Sequence, residues 1–424
     1  MIRYLLMLLY VLSAAEATFD LGIGIGLGLS ATNLLLYALI FTILARAALT
    51  SSDIHIPLLG VHVAFGLLVA YATLSWTLNS IFDPTYPAFS GLKTLKNEII
   101  DNYLFFMVFF FGAHNYEEAK RIFLFALHLV ALMTVLTIID ASALVDLGIM
   151  GQDADGRVRG PIGDSNSYGV FMAFFVPLFA AMAMGSTGVA RLLWWFIFLC
   201  GFALLIASGS RGAYVGMLAG AIIGVKFISP FFDRRRVRRV ALQMAAVLTI
   251  ITVSIAVMNL ELVAERIEQS TSTEDLDRLS SGRTAIWRAT ILVQAENPES
   301  FLYGNGWNSH EQSGIWKSTH NTYLLRLYEL GLIGLGMFIA LLVAMVRQVR
   351  VLVQRTEGKE RVLMSGVAFG WLSVIVAILF VDLYAPWFYI WSFLGMSLRI
   401  AYEKDREYRL ENPQPLPMAP RQPA

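Results

Sequence analysis

The stretch that decides the fold is ARLLWWFIFLCGFALLIASGSRGAYVGMLAGAIIGVKFIS, residues 190–229. It holds two apolar runs, 190–207 and 212–229, which are separated by the short polar sequence SGSR. A helix of about 18 to 20 apolar residues is long enough to cross the roughly 30 Å of hydrocarbon in a bilayer. Because backbone polar groups in lipid must be satisfied within their own segment, each run predicts a transmembrane helix.

Similar apolar runs recur along the whole chain. Of its 424 residues 57% are hydrophobic and 15% are charged, whereas soluble domains carry about 25% charged residues. The predicted fold class is therefore an all-α polytopic integral membrane protein. The runs predict about twelve transmembrane helices, near residues 4–19, 32–49, 56–76, 98–113, 121–140, 167–185, 190–207, 212–229, 240–259, 321–346, 362–381 and 386–401.

These runs also predict how the chain is divided. Residues 1–259 hold helices one to nine, 260–320 form a long extramembrane loop with short helices, and 321–401 hold the last three helices. Residues 402–424 are charged and then proline-rich, which predicts a disordered tail. The first run, YLLMLLYVL followed by SAAEA, also fits a cleaved signal peptide, although we favour a retained helix.

The basic loops set the orientation. DRRRVRR at 233–239 and the five cations within 347–361 mark the cytoplasmic side, because short cytoplasmic loops are rich in Lys and Arg. The C-terminal tail falls on the same side. The opposite, non-cytoplasmic side collects the segments 77–97, 141–166, 208–211, 260–320 and 382–385.

Charge and cysteine content exclude several classes of protein. The net charge of +1 argues against a nucleic-acid partner. The single cysteine, Cys200, excludes a disulfide framework or a thiolate metal site within one chain. We therefore expect membrane lipids around the chain, no cofactor and no resident metal.

Arg211 stands between two apolar helices on the non-cytoplasmic side, where the positive-inside rule does not account for it. One interpretation is an arginine that snorkels to the membrane surface. The other is an anion ligand, because backbone N–H groups at a helix N-terminus would point at the same anion.

Arg283 opens the sequence RTAIWRATILVQ in the long loop. This stretch fits a solvated amphipathic helix at the membrane surface, for which Trp287 and Arg288 are natural residues. A substrate site explains the same stretch equally well, because Trp287 lies four residues after Arg283 and so shares its helical face.

His320 lies at the start of the tenth predicted helix, beside Asn321. An imidazole has an unperturbed pKa of about 6.5, which suits general-base chemistry near neutral pH. A lone histidine is more often structural, but its place at the membrane boundary favours a role in chemistry. His310, in the long loop, is a lesser candidate for substrate contact.

The segment GRVRGPIGDSN, residues 156–166, holds further candidates on the same side. Its Gly, Pro, Asp, Ser and Asn residues are typical of a structured turn that caps a helix. Alternatively Arg157, Arg159 and Asn166 contact an anion or a sugar. Glu98 and Asp101, near the start of the fourth helix, are additional candidates for substrate contact.

Taken together, several motifs resemble the bacterial O-antigen ligase family, whose superfamily also includes polysaccharide polymerases and protein O-oligosaccharyltransferases. They cover about residues 157–340, and the likeness in topology extends over nearly the whole chain. The motifs are SGSRGA around Arg211, SGRTAIW around Arg283, GNGWNS at 304–309, HNTYLLRLYELGLIGL from His320 and RGPIGDSN from Arg159.

The resemblance implies an enzyme that moves a glycan from undecaprenyl pyrophosphate to an acceptor hydroxyl at the periplasmic face of the bacterial inner membrane. It implies that Arg211, Arg283 and His320 are catalytic. Fixed guanidinium charge suits a pyrophosphate leaving group, and an imidazole can take the proton of the attacking hydroxyl. Since no DxD-type acidic pair stands in an obvious position, we expect a metal-independent, inverting glycosyltransferase.

The acceptor separates the remaining alternatives. Lipid A–core as acceptor makes the chain an O-antigen ligase, which we favour, and a second lipid-linked glycan makes it a polymerase. The chain has no large extra C-terminal domain, which weakens a protein-glycosylating role. A transporter of lipid-linked sugars would need polar groups that reach both sides of the bundle, whereas the polar residues above gather on one side.

Overall fold

A computed structural model gives the fold of the chain. It describes residues 1–19, 24–26, 29–49, 60–142, 156–231, 282–315, 318–382 and 388–411, with 145, 147–149, 151–153, 235, 238 and 249. The helices within these residues are α1 Ile2–Phe19, α2 Ala31–Leu49, α3 Gly60–Phe82, α4 Ala88–Leu95, α5 Asp101–Gly112, α6 Tyr116–Ala141, α7 Ser165–Gly185, α8 Gly188–Ala207, α9 Arg211–Ile228, α10 Arg283–Glu296, α11 Ser300–Tyr303, α12 Thr322–Arg355, α13 Gly358–Ala377 and α14 Phe388–Glu411.

Short irregular elements join some of these helices. A single π-helical stretch, Lys96–Ile100, links α4 to α5, so the chain is helical from Ala88 to Gly112. Short 3₁₀ helices lie at Gly160–Ile162, Ser229–Phe231 and Ser309–Gln312. A small antiparallel ribbon pairs Gly24–Gly26 with Leu29–Ser30.

Nine helices in the described part of the chain are long and apolar enough to cross a membrane. They are α1, α2, α3, α6, α7, α8, α9 with its 3₁₀ extension, α12 and α13. The prediction of an all-α polytopic membrane protein is therefore confirmed. The number twelve stays a prediction: the predicted helices 98–113 and 386–401 are not among these nine, and all of 240–259 except residue 249 lies outside the described residues.

The last helix corrects one expectation. Residues 402–411 were expected to begin a disordered tail, but α14 continues to Glu411. Ion pairs explain the extension: Asp405 accepts from Arg355 at 3.1 Å and from Arg409 at 2.8 Å. The first pair fastens α14 to the end of α12, and the second joins two successive turns of α14. Residues 412–424 of the expected tail lie outside the described part.

α7 is the most enclosed of the candidate spans, with 78% of its apolar window buried. It packs against α13 through glycines: a Cβ at Gly366 would lie 2.9 Å from the Pro177 carbonyl oxygen. α9 approaches α13 in the same way, since a Cβ at Gly220 would lie 2.6 Å from the Ser373 backbone nitrogen. Small residues allow such close contact between membrane helices. The result is that the start of α9 lies directly against the turn that follows α13.

The connections between helices meet at two ends of the bundle. At one end the Arg157 Nε donates to the Ser208 carbonyl at 2.9 Å, and the Thr322 N–H donates to the Ile378 carbonyl at 2.9 Å. The Tyr86 hydroxyl donates to the Trp307 carbonyl at the same end. Described residues of several segments that the basic loops assigned to the non-cytoplasmic side thus lie at this end. We call this the site end, and the other the basic end.

Candidate functional site

Arg283 begins α10 directly after Gly282, whose φ of 79° lies in the left-handed region that glycine adopts without strain. Burial lowers the pKa of Arg283, and the positive charges of Arg211 and Arg157 lower it further, whereas Asp382 raises it. Since charge–charge interactions weaken with distance, these side chains share one region. Three guanidinium groups and one carboxylate therefore come together at the site end.

Arg157 is held in this region by three contacts. Its Nε donates to the Ser208 carbonyl at 2.9 Å, and its Nη2 donates to the Asn166 side-chain oxygen at 2.9 Å. Asp153 lies 3.8 Å from the Nε. The side chain passes over Gly209, where a Cβ would lie 2.9 Å from the Arg157 Nε and where φ is 61°. Gly209 is thus favoured by its left-handed backbone and by the arginine side chain that crosses it.

Arg211 is the first residue of α9, and its side chain is exposed. Ser210 caps the helix by accepting from the Ala213 N–H at 3.4 Å. The next residue, Gly212, lies against the turn after α13, since a Cβ there would be 2.5 Å from the Phe380 Cβ. Arg211 therefore stands at a helix N-terminus, where backbone dipoles favour an anion.

Asp382 organises the turn that carries His320. It is 1% exposed, and its Oδ2 accepts from the His320 N–H at 2.7 Å and from the Ser318 hydroxyl. Its Oδ1 accepts from the Asn321 N–H at 2.7 Å and from the Thr319 hydroxyl at 2.8 Å. One carboxylate thus fixes four consecutive residues at the start of α12.

His320 itself has a φ of 48°, in the left-handed region that residues with a side chain rarely adopt. Such a backbone costs free energy and persists only where its surroundings impose it, which is common at functional sites. Here the bond from the His320 N–H to Asp382 imposes it. The turn therefore orients this histidine in a way that an ordinary helix start would not.

Neighbouring contacts join α10 to the same turn. The Trp287 Nε1 donates to the Thr319 carbonyl at 2.8 Å, so the helix that begins with Arg283 is tied to the residue before His320. The Asn321 side chain caps α12 by accepting from the Leu324 N–H at 3.1 Å. Both side chains, predicted as substrate contacts, are engaged within the protein.

The sequence of this region also matches a known family. A family model described as O-Antigen ligase matches residues 195–339, which contain Arg211, Arg283 and His320. This match supports membership of the O-antigen ligase superfamily. The predicted resemblance is thereby confirmed, and the chain is of the class that transfers lipid-linked glycans as ligase or polymerase. No curated protein matches the chain.

The remaining predicted contacts of this ligase-family site differ in their surroundings. Asn166 accepts from Arg157 and so positions it, while Asp164 caps α7 by accepting from the Asn166 and Ser167 N–H groups. Arg159 and Arg288 are exposed, and neither is among the charges that shift the pKa of Arg283. Both stay predictions as substrate contacts.

Sequence reasoning missed two features of the site. Asp382 was seen only as part of a turn, although an aspartate in the apolar sequence ILFVDLY was a usable signal. The second is a buried ion cluster: Arg326 lies 2.6 Å from Glu329 and 3.3 Å from Glu98. Glu98 was predicted to touch substrate, but it is paired inside the bundle.

An acidic pair next to Arg157 was also passed over, namely Asp153 and Asp155 in the sequence DAD. Asp153 accepts from the Arg157 N–H at 2.9 Å and from the Ser165 hydroxyl at 2.8 Å, so its carboxylate holds the turn. Asp155 lies outside the described residues. Within those residues, no three His, Cys, Asp or Glu side chains group as a metal site requires. Metal independence stays a prediction for a chelation experiment.

Proposed function

We propose that the chain is a periplasm-facing glycosyltransferase that moves a glycan from undecaprenyl pyrophosphate to an acceptor hydroxyl, as an O-antigen ligase acting on lipid A–core. One observation carries the proposal. Arg157 crosses Gly209, two residues before Arg211, while Trp287 ties the helix of Arg283 to Thr319, beside His320, whose backbone Asp382 fixes. Excess positive charge and a histidine thus stand together at one end of a membrane bundle.

The guanidinium groups account for the donor. When the bond between the anomeric carbon and the phosphate oxygen breaks, the pyrophosphate gains negative charge. Fixed cations that are already in place stabilise that charge without reorganising. Arginine suits this role because it remains charged and offers two parallel donors to phosphate oxygens. Arg211 adds the N-terminus of α9 to the same anion site.

His320 accounts for the acceptor. Its neutral imidazole takes the proton as the acceptor oxygen attacks the anomeric carbon, and the electrons of the broken bond leave with the pyrophosphate. General-base assistance of this kind contributes about 10²–10⁴-fold in rate. Direct attack at the side opposite the leaving group inverts the anomeric centre. Asp382 acts as a positioning residue because it holds the His320 backbone in its left-handed conformation.

Reconstitution of the purified full chain in liposomes tests the proposal. The donor is a polyprenyl-pyrophosphate-linked oligosaccharide, and lipopolysaccharide that lacks O-antigen competes as acceptor with a second lipid-linked glycan. A single conjugate of high mass on lipid A–core is the expected product. A ladder of growing lipid-linked chains would instead make the protein a polymerase, and unchanged transfer by His320→Ala would remove the general-base role.

The same assay tests metal independence. Transfer should survive treatment with EDTA, because fixed arginines would supply the positive charge at the pyrophosphate. Loss of transfer with EDTA, restored by magnesium or manganese, would contradict this and direct attention to the acidic pair Asp153 and Asp155.

A further inference from the structure

The outer segment that holds α10 and α11 is attached to a break in α12. At Gly331 the backbone leaves the helical conformation, with φ 65° and ψ −168°. A Cβ at Gly331 would collide with the Leu302 carbonyl oxygen, so only glycine fits there. Carbonyl groups just before the break accept from outside the helix: Leu327 from the Gln294 Nε2 at 2.9 Å, Tyr328 from the Asn305 N–H at 2.9 Å and Glu329 from the Gly306 N–H at 3.0 Å.

Directly beneath these contacts lies the buried ion cluster, which consists of Glu98, Arg326 and Glu329. The Arg326 and Glu329 side chains are about 4% and 5% exposed, and their closest atoms are 2.6 Å apart. The ring of Trp307 covers the Arg326 guanidinium at 4.3 Å. Because breaking one partner of a buried charged pair is costly, this cluster is a rigid support for whatever it contacts.

The cluster contacts the turn that leads to His310. The Glu329 Oε1 accepts from the Asn308 N–H at 3.0 Å, while Asn308 has a left-handed φ of 63°. The Asn308 side chain donates to the Glu311 Oε2 at 2.9 Å. Both bonds fix the turn on either side of His310, so the position of His310 is set from inside the bundle.

His310 is 6% exposed, and its Nε2 is buried with no hydrogen-bond partner among the residues that the structure describes. Its ring meets the Tyr328 ring edge to face at 5.3 Å. Burial lowers the pKa of His310, whereas Asp382 and Glu311 raise it, which places the imidazole near the carboxylate that fixes His320. A buried polar atom left unpaired costs folding free energy and calls for an explanation.

We propose that His310 is a sugar-hydroxyl subsite of the same centre, and that the buried ion cluster holds it there through the Asn308 amide. This inference rests on the proposed function. A neutral imidazole can donate to a hydroxyl or accept from one, and a sugar presents several of each. The carboxylates of Glu329 and Glu311 both accept from Asn308 in the turn that carries His310. A phosphate bound there would be repelled by them, whereas a sugar hydroxyl would not, which favours a sugar at His310.

The hydroxyl can belong to the donor glycan or to the acceptor, and kinetics distinguish the two. His310→Phe keeps a ring of similar size and removes both nitrogens. Its melting temperature should equal or exceed that of the native chain, because an unpaired buried atom is gone. The apparent KM should rise about tenfold, as expected for one lost hydrogen bond, for the donor oligosaccharide or for the O-antigen-free lipopolysaccharide.

A rise in the donor KM assigns the subsite to the donor glycan, and a rise in the acceptor KM assigns it to the acceptor. Unchanged values for both overturn the subsite. His310→Gln, which keeps a donor and an acceptor, should restore most of the binding. Gln312→Ala, on the exposed face of the same short helix, is the matched control and should leave both constants unchanged. If His310→Phe fails to fold, His310→Ala serves the same comparison.

The role of the ion cluster is tested by a double-mutant cycle. Glu98→Gln removes the charge at the longest contact of the cluster, so it should raise the same KM as His310→Phe. In the double variant the KM should rise no further, because both changes act through one side chain. Effects that multiply would show that the cluster is structural only. The proposed function is tested separately. If the native chain transfers glycan and His320→Ala does not, the proposed function stands even when the His310 variants show no change in KM.

Discussion

The two ends of the helix bundle differ in how their cations meet carboxylates. At the basic end, cations form ion pairs with carboxylates on the same or neighbouring helices, some partly exposed and one, Arg399 with Glu403, largely buried. They include Lys120 with Glu360 at 3.0 Å, Arg355 with Asp405 at 3.1 Å and Arg399 with Glu403 at 2.6 Å. At the site end, Arg283 lies near two further guanidinium groups, which lower its pKa.

The carboxylates at the site end do not neutralise the arginine charges as the carboxylates at the basic end do. Asp382 is enclosed by four donors of the His320 turn, and Asp153 also holds the Arg157 backbone N–H and the Ser165 hydroxyl. Like charges placed close together in a half-buried region raise the energy of the empty site. Under the proposed function, binding of a pyrophosphate would relieve this repulsion. The comparison favours a role in topology for the arginines at the basic end and a role in anion binding for those at the site end.

The largest expected effect separates the two ends directly. Arg283→Ala should reduce glycan transfer by at least about 10²-fold, because it removes a fixed charge at the leaving group. Arg355→Ala should leave transfer within about twofold of the native rate, since a partly exposed ion pair contributes about 0–1 kcal/mol to stability. The measurement is kcat/KM in liposomes, with melting temperatures for both variants. Similar losses at both ends would contradict the comparison.

A matched change of carboxylates should have the next largest effect. Asp382→Asn replaces one accepting oxygen with an NH₂ group, which cannot accept from the N–H groups of the His320 turn. We expect transfer to fall about 10- to 100-fold as His320 shifts, and the free energy of unfolding to fall by about 1–3 kcal/mol. Asp405→Asn makes the same change in a surface pair and should spare transfer. Full activity of Asp382→Asn would show that it does not position His320.

Arginine geometry sharpens the comparison further. Arg211→Lys keeps the positive charge but loses the planar pair of donors, so transfer should fall about tenfold if both donors grip one phosphate group. Arg355→Lys, at the basic end, should have no measurable effect on transfer. Native activity of Arg211→Lys would favour an arginine that only snorkels to the membrane surface.

The smallest effect concerns pH and stability. Because burial lowers the pKa of His310 in the folded protein, the unfolded chain binds a proton more readily. His310 therefore destabilises the fold as pH drops below the unfolded value of about 6.5. When the pH is lowered from about 7 to about 5, the melting temperature of His310→Phe should fall less than that of the native chain. The two decreases should differ by at most about 4 °C. A pH profile shared by the native chain and His310→Phe would contradict this effect of burial.

Much of the architecture followed from the order of residues. Apolar runs marked most of the helices, and the loop charges placed Arg157, Ser208 and Asp382 on one side of the membrane, which stays a prediction. Motifs identified Arg211, Arg283 and His320 as candidates, and their catalytic role also stays a prediction. The break at Gly331 and the buried ion cluster were not foreseen, because Arg326 and Glu329 stand in a run that reads as an ordinary apolar helix.

The sequence alone determined the all-α membrane fold class and the resemblance to the O-antigen ligase family, because hydrophobic length and motif order are local properties. Only the tertiary structure decided which groups touch. Asp382, distant in sequence from His320, accepts from its backbone N–H, and Trp287 reaches the Thr319 carbonyl. Such pairings depend on how glycine-lined helices pack, since close packing fixes the ends of α9 and α13 against each other. No local pattern of residues predicts which helix ends will contact each other.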